Sequence, residues 1–168
     1  MTTSDVAAMR AWAHPVRLRI LSLLTAQAMS AAEVARELDL THANASYHLR
    51  HLHSAGLLSV ESTEKVRGGL AKRYRYLPEQ EPENPGGATP ISTFHALADE
   101  LTRRGVQARA GRQVVSDAEL WVRPDDWADA REAVYAAMAA LHRAAVPADT
   151  PGAVRTSSTV AMFEMHPR

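Results

Sequence analysis

Apolar residues recur at helical spacing through the first third of the chain and then switch to alternation. In VRLRILSLL, Val16, Ile20, Leu23 and Leu24 form one stripe while Leu18 and Leu21 lie on another side. That pattern predicts a helix buried on two sides, the centre of a small bundle. Pro15 just before it suits the first helical turn, where its missing N–H costs nothing. Ser30 followed by Glu33 has capping-box spacing and opens a second helix, SAAEVAREL, with Val34 and Leu38 inward. Asp39–Leu40–Thr41 makes a tight connection into a third helix from His42 towards Gly56, where Ala45, Leu49 and Leu52 share a narrow apolar stripe. Two short helices joined by so few residues make a helix-turn-helix arrangement.

After Gly56 the period changes to two. LLSVEST alternates into one strand and KRYRYL into another, with Tyr74 and Tyr76 on one face and Arg73 and Arg75 on the other. Gly68–Gly69 between them predicts a hairpin tip, and a basic hairpin after these helices reads as a wing. PEQEPENPGGATP then breaks all regularity over 78–90, which marks a linker. Beyond it, Ile91–Arg104 is an amphipathic helix, with Phe94, Leu97, Ala98 and Leu101 aligned. Glu119–Val122 reads as a strand, Pro124–Ala145 as a long helix with Trp127, Val134, Met138, Leu141 and Ala145 on one stripe, and Ser157–Phe163 as a closing strand. Trp121, Trp127, Met138, Phe163 and Met165 are expected inside this unit, as core or as the lining of a ligand pocket. The expected fold class is α+β: a winged helix-turn-helix over 1–77, the 78–90 linker, and a helix–strand–helix–strand region over 91–168.

The chemistry sits opposite the apolar stripe of the third helix. Thr41, His42, Ala43, Asn44, Ser46, Tyr47, Arg50 and His51 offer short polar groups and cations without a single acid, a face suited to base edges and phosphates. Lys65, Arg67, Lys72 and Arg73 on the hairpin would touch phosphate or the minor groove. Net charge is zero, yet residues 1–77 carry ten Lys/Arg against six Asp/Glu, and residues 78–168 carry nine against thirteen. A basic half joined to an acidic half suits a polyanion-binding module with a different module attached.

The remaining composition excludes other classes. Apolar residues at 46% and charged ones at 23% are ordinary for a globular protein. No apolar run spans a bilayer and no export signal opens the chain, so the cytoplasm is the expected compartment. Without cysteine there is no disulfide, zinc–thiolate site or thiol switch. His42, His48, His51 and His53 fall on two sides of one helix, so at most His48 and His51 share an ion; no metal or other cofactor is expected. Nucleophile elbows, phosphate loops and dinucleotide fingerprints are absent, and no enzymatic activity is expected. A protein–protein interaction module built on a winged helix is the alternative; it leaves Tyr47, Arg50 and the basic wing unexplained.

HPVRLRILSLL, SAAEVARELDL, THANASYHLRHLHSAGLL and the hairpin ending KRYRYL together resemble the ArsR family of winged-helix bacterial transcriptional regulators, over about residues 10–77. The resemblance implies a homodimer on an inverted-repeat operator of double-stranded DNA, usually a repressor released by an effector, here a small molecule of unknown identity. The family's recognition helix falls on His42–Ser54, and His48–Leu49 matches its frequent His-Leu pair. Where many members sense metals through cysteines, this chain has Ser30-Ala31-Ala32. Residues 91–168 exceed the family's usual single C-terminal helix. Their helix carrying Phe94, Leu97 and Leu101 and the long helix from Pro124 are the expected dimer contacts, because so small a unit does not cover itself.

Overall fold

A computed structural model describes residues 12–66, 69–78, 89–111 and 113–166. Arg67 and most of the 78–90 linker lie outside the described residues. The described elements are α1 (Pro15–Ala26), β1 (Met29–Ser30), α2 (Ala31–Leu38), α3 (His42–Ser54), β2 (Ser59–Val66), β3 (Gly69–Arg75), α4 (Ile91–Gly105) and α5 (Pro124–Arg143).

Local chemistry sets the helix ends. His14 caps α1, its Nδ1 accepting from the Val16 N–H at 3.2 Å. Ser30 and Glu33 form the complete capping box on α2. Asp39 then takes a left-handed conformation (φ 54), which turns the chain within three residues. The Thr41 hydroxyl accepts from the Asn44 N–H to start α3. Gly56 (φ 77) ends that helix, and the Leu57 N–H returns to the Leu52 carbonyl, so the last turn keeps its partners.

Ile20, Leu24, Val34, Leu49 and Leu52 form a core with essentially no solvent exposure. Leu18 and Leu21 are buried on the other side of α1, so that helix is central, as its two-sided pattern requires. Burying each large side chain contributes about 1.5–3 kcal/mol relative to leaving it exposed. Met29, Leu57, Leu58, Tyr74 and Tyr76 close the core from the sheet. That sheet is antiparallel in the order β1-β3-β2, with Met29 opposite Tyr74, Val60 also opposite Tyr74, and a bulge between Val60 and Ser62. The two-residue β1 is too short for alternation to reveal; it exists because β3 offers a free edge. Three helices with a small sheet and hairpin make a winged helix-turn-helix of the α+β class.

Downstream the structure departs from the sequence pattern. Helix α4 packs on α1 through Thr93, Ala96 and Glu100, not through the Phe94, Leu97, Ala98 and Leu101 stripe. Small residues at the contact let the helices approach closely. Glu100 is buried because two guanidiniums neutralise it: Arg103 at 2.7 Å and Arg104 at 3.1 Å. Phe94 and Leu97 are half-buried and Leu101 is exposed. Helix α5 forms as expected, two residues shorter, but has no fully buried residue. Its stripe is half-buried at Trp127, Val134, Met138 and Ala145, and exposed at Leu141.

The strands expected at Glu119–Val122 and Ser157–Phe163 are not formed. A strand exists only through a partner's backbone hydrogen bonds, and residues 120–122 and 157–163 make none to another described residue. The interior expected around them is likewise open, with Trp121, Phe163 and Met165 exposed. A cleft of about 930 Å³ separates α1 and α4 from α5, lined among others by Leu18, Leu21, Tyr76, Leu97, Met138 and Val160.

Candidate nucleic-acid interface

Helix α3 has two unlike faces. Ala45, Leu49 and Leu52 are fully buried against α1 and α2, which fixes the rotation of the helix. That rotation sends Thr41, His42, Ala43, Asn44, Tyr47 and Arg50 into solvent and leaves Ser46 and His51 half-buried. The Arg50 Nε donates to the Ser46 carbonyl at 3.2 Å, holding the guanidinium along the helix with its other donors available. No acid occupies the first turn of α3, so its free N–H groups and positive dipole end face outward unopposed.

Beside this face lies a cluster that helical periodicity did not reveal. Arg17, from the first turn of α1, reaches across so that its Nη1 lies 3.2 Å from Nδ1 of His51 and 3.4 Å from Nε2. The His14 ring sits 4.9 Å from His48, and Tyr47 stands edge-on to His48 at 5.3 Å and to His51 at 6.3 Å. Partial burial lowers the Arg17 pKa from its ordinary value, with Tyr47 opposing. His48 is buried, and its Nδ1 has no hydrogen-bond partner among the described residues. Burial, reinforced by the charges of His14, Arg17 and His51, pushes its pKa down to about 4. His48 is therefore a neutral packing residue under α3, while Arg17 adds a cation to the rim. The only sequence signal for Arg17 was its place in the first turn of α1; its partner lies 34 residues away.

The other histidines have separate duties. His53 Nδ1 is 2.8 Å from the Leu58 carbonyl and its ring meets Tyr74, tying the end of α3 to the sheet. Among the described residues, no three His, Asp or Glu side chains gather closely enough to hold a metal ion.

On the wing, Lys65 and Lys72 are exposed, while Arg67 lies outside the described residues. Arg73 is the correction. Its Nη1 donates to Glu33 at 3.0 Å, its Nη2 donates to the Ala28 carbonyl at 2.6 Å, and its Nε lies 3.6 Å from Glu64. A guanidinium bonded in this way clamps the hairpin to the start of α2 and has little left for phosphate. Burial alone would raise the Glu33 pKa, but hydrogen bonds from Ser30 and Arg73 outweigh it and hold the carboxylate below its usual range. Alternation put Arg73 on the basic face of β3 correctly; it could not show that Glu33 waits on that face.

Residues 13–61 match the model of a protein family described as a helix-turn-helix domain, a stretch covering less than half the chain. No curated protein matches the chain. The matched stretch runs from the start of α1 into β2 and contains the whole of α3. The chain thus carries a helix-turn-helix domain of the kind found in DNA-binding regulators, set in a winged-helix fold.

Proposed function

We propose that this protein is a transcriptional repressor of the ArsR type, binding an inverted-repeat operator in duplex DNA as a homodimer. The observation that carries the reading is the acid-free outer face of α3, with Tyr47 and Arg50 exposed at its centre and Arg17 and His51 at its edge. Helix α3 enters the major groove, where Arg50 meets guanine and Asn44 and Ser46 meet neighbouring base edges. Lys65 and Lys72 follow the backbone from the wing. One such helix reads only a few base pairs, so two copies, spaced by about one DNA turn, double the site. The effector implied by the ArsR resemblance is assigned to the cleft between α1, α4 and α5, because Leu18 and Leu21 in its wall belong to the same helix that supports α3.

Selection of bound duplexes from a random pool, followed by titration of the enriched sequence, tests the proposal. Arg50→Ala is expected to weaken binding by about 1–3 kcal/mol and to relax preference at one base pair. Enrichment of nothing, or an enriched site whose affinity is unchanged by Tyr47→Ala with Arg50→Ala, would sink it. The first of those outcomes would favour the interaction-module reading.

A further inference from the structure

We infer that the segments 113–122 and 154–166 are strands completed by a second copy of this chain, each pairing with the other segment of its partner. The inference rests on the homodimer proposed above and names the surface that makes it.

Both segments have strand composition without strand structure. QVVSDAELWV and VRTSSTVAMFEMH are rich in β-branched, aromatic and methionine side chains and free of Pro and Gly. Residues 113–118, 120–122 and 154–166 nevertheless make no backbone–backbone hydrogen bond to another described residue. Every residue of both segments except Thr159 is exposed. Val114 and Val115 are almost wholly in solvent, and Trp121 is 86% exposed.

The exposed surface has the size of a protein interface. Val114, Val115, Trp121, Val154, Phe163 and Met165 together present on the order of 800 Å². That is comparable with one partner's share of a standard interface, about 800 Å². The α5 helix between the segments has no buried residue either, so a sheet laid on it would give its half-buried stripe a second wall.

Charge selects which strands meet. Self-pairing of 113–122 about a two-fold axis would bring Asp117 and Glu119 near their own images. The other segment carries Arg155 and a single carboxylate, Glu164, so crossed pairing avoids that repulsion. Crossed pairing also closes, because each copy offers one strand of each kind and the two contacts are equivalent.

Sedimentation and hydrogen–deuterium exchange on the full chain test the inference together. At high concentration the mass should be that of two chains, with amides in both segments exchanging at least about tenfold more slowly than on dilution. Val160→Pro removes one ladder donor and should shift the chain to monomer while leaving exchange in α1–α3 unchanged; Val160→Thr should stay dimeric. A dimer whose two segments exchange as fast as in the dilute chain would overturn the inference and leave the homodimer standing. Protection that does not depend on concentration would overturn it by putting the pairing within one chain. A monomer at every concentration, with fast exchange, would overturn both readings.

Discussion

Residues 12–78 and residues 89–166 have similar lengths and opposite interiors. In the first region, buried residues running from Ile20 to Tyr76 form one continuous core. In the second, the buried residues are Thr93, Ala96 and Glu100, all on α4 and all facing α1. Trp121, Tyr135, Phe163 and Met165, the side chains with most to gain from burial, stay in water. The difference lies in partners rather than composition. Helix α1 packs against three helices and β3, whereas α5 borders a cleft on one side and solvent on the other.

The largest test of this contrast is truncation of a core side chain on each side. Leu49→Ala should cost about 2–5 kcal/mol in chemical denaturation of the helix-turn-helix half, because the site is sealed and cannot collapse freely. Trp121→Ala, a larger deletion, should change the stability of the dilute monomer by less than about 0.5 kcal/mol. A comparable loss from Trp121→Ala in dilute solution would mean that the second region has an interior of its own.

Acid should separate the regions next. Unfolded, His48 titrates near 6.5; folded, near 4. Between those values the unfolded chain binds the extra proton, so the contribution is complete above about pH 6.5 and declines as pH falls towards 4. The loss should be on the order of 2–3 kcal/mol, and His14, also lowered by burial and by Arg17, adds in the same direction. His48→Leu should flatten the stability profile between pH 6.5 and 4; an unchanged slope would reject the assignment. Glu33 and Glu100, both held below the usual carboxylate range, act lower on the scale. Burial opposes that lowering in both, and hydrogen bonds from Ser30 and Arg73, or from Arg103 and Arg104, overcome it. Their contribution is present above the ordinary carboxylate value and disappears as pH falls through the folded one.

A smaller effect should divide the wing's own cations. Arg73→Ala should destabilise the fold by about 1–3 kcal/mol, since Glu33 loses its cation and keeps only the Ser30 donors, and the Ala28 carbonyl loses the Arg73 Nη2 donor. Lys72→Ala should leave stability within about 0.5 kcal/mol and reduce the salt slope of DNA binding by about one unit. Equal salt slopes for Lys72→Ala and the parent would remove Lys72 from the interface. Smallest of all, Thr41→Ala should cost about 1 kcal/mol through the lost cap on α3.

Much of the winged helix was legible residue by residue. The capping box at Ser30, the stripe of Ala45, Leu49 and Leu52, and the turn at Gly56 are local signals, and each acts within a few residues of itself. The roles of Arg17, Arg73 and His48 were not legible, because their partners lie far away in sequence. Periodicity also did not show which face of α4 is buried: it aligned Phe94, Leu97 and Leu101 by apolarity, while the buried residues are the smaller Thr93 and Ala96 together with Glu100.

By itself, then, the chain determined where helices start and stop, which face of α3 is polar, and that stretches around Glu119–Val122 and Ser157–Phe163 have the composition of strands, since propensity, capping and amphipathic period are properties of neighbouring residues. Tertiary structure alone decided that Arg73 is a clamp, that His48 is buried and neutral on the inner face of α3, and that neither of those two segments forms a strand among the described residues. Ion pairing, desolvation and strand pairing depend on groups brought together across the whole chain, and no local pattern encodes their distance.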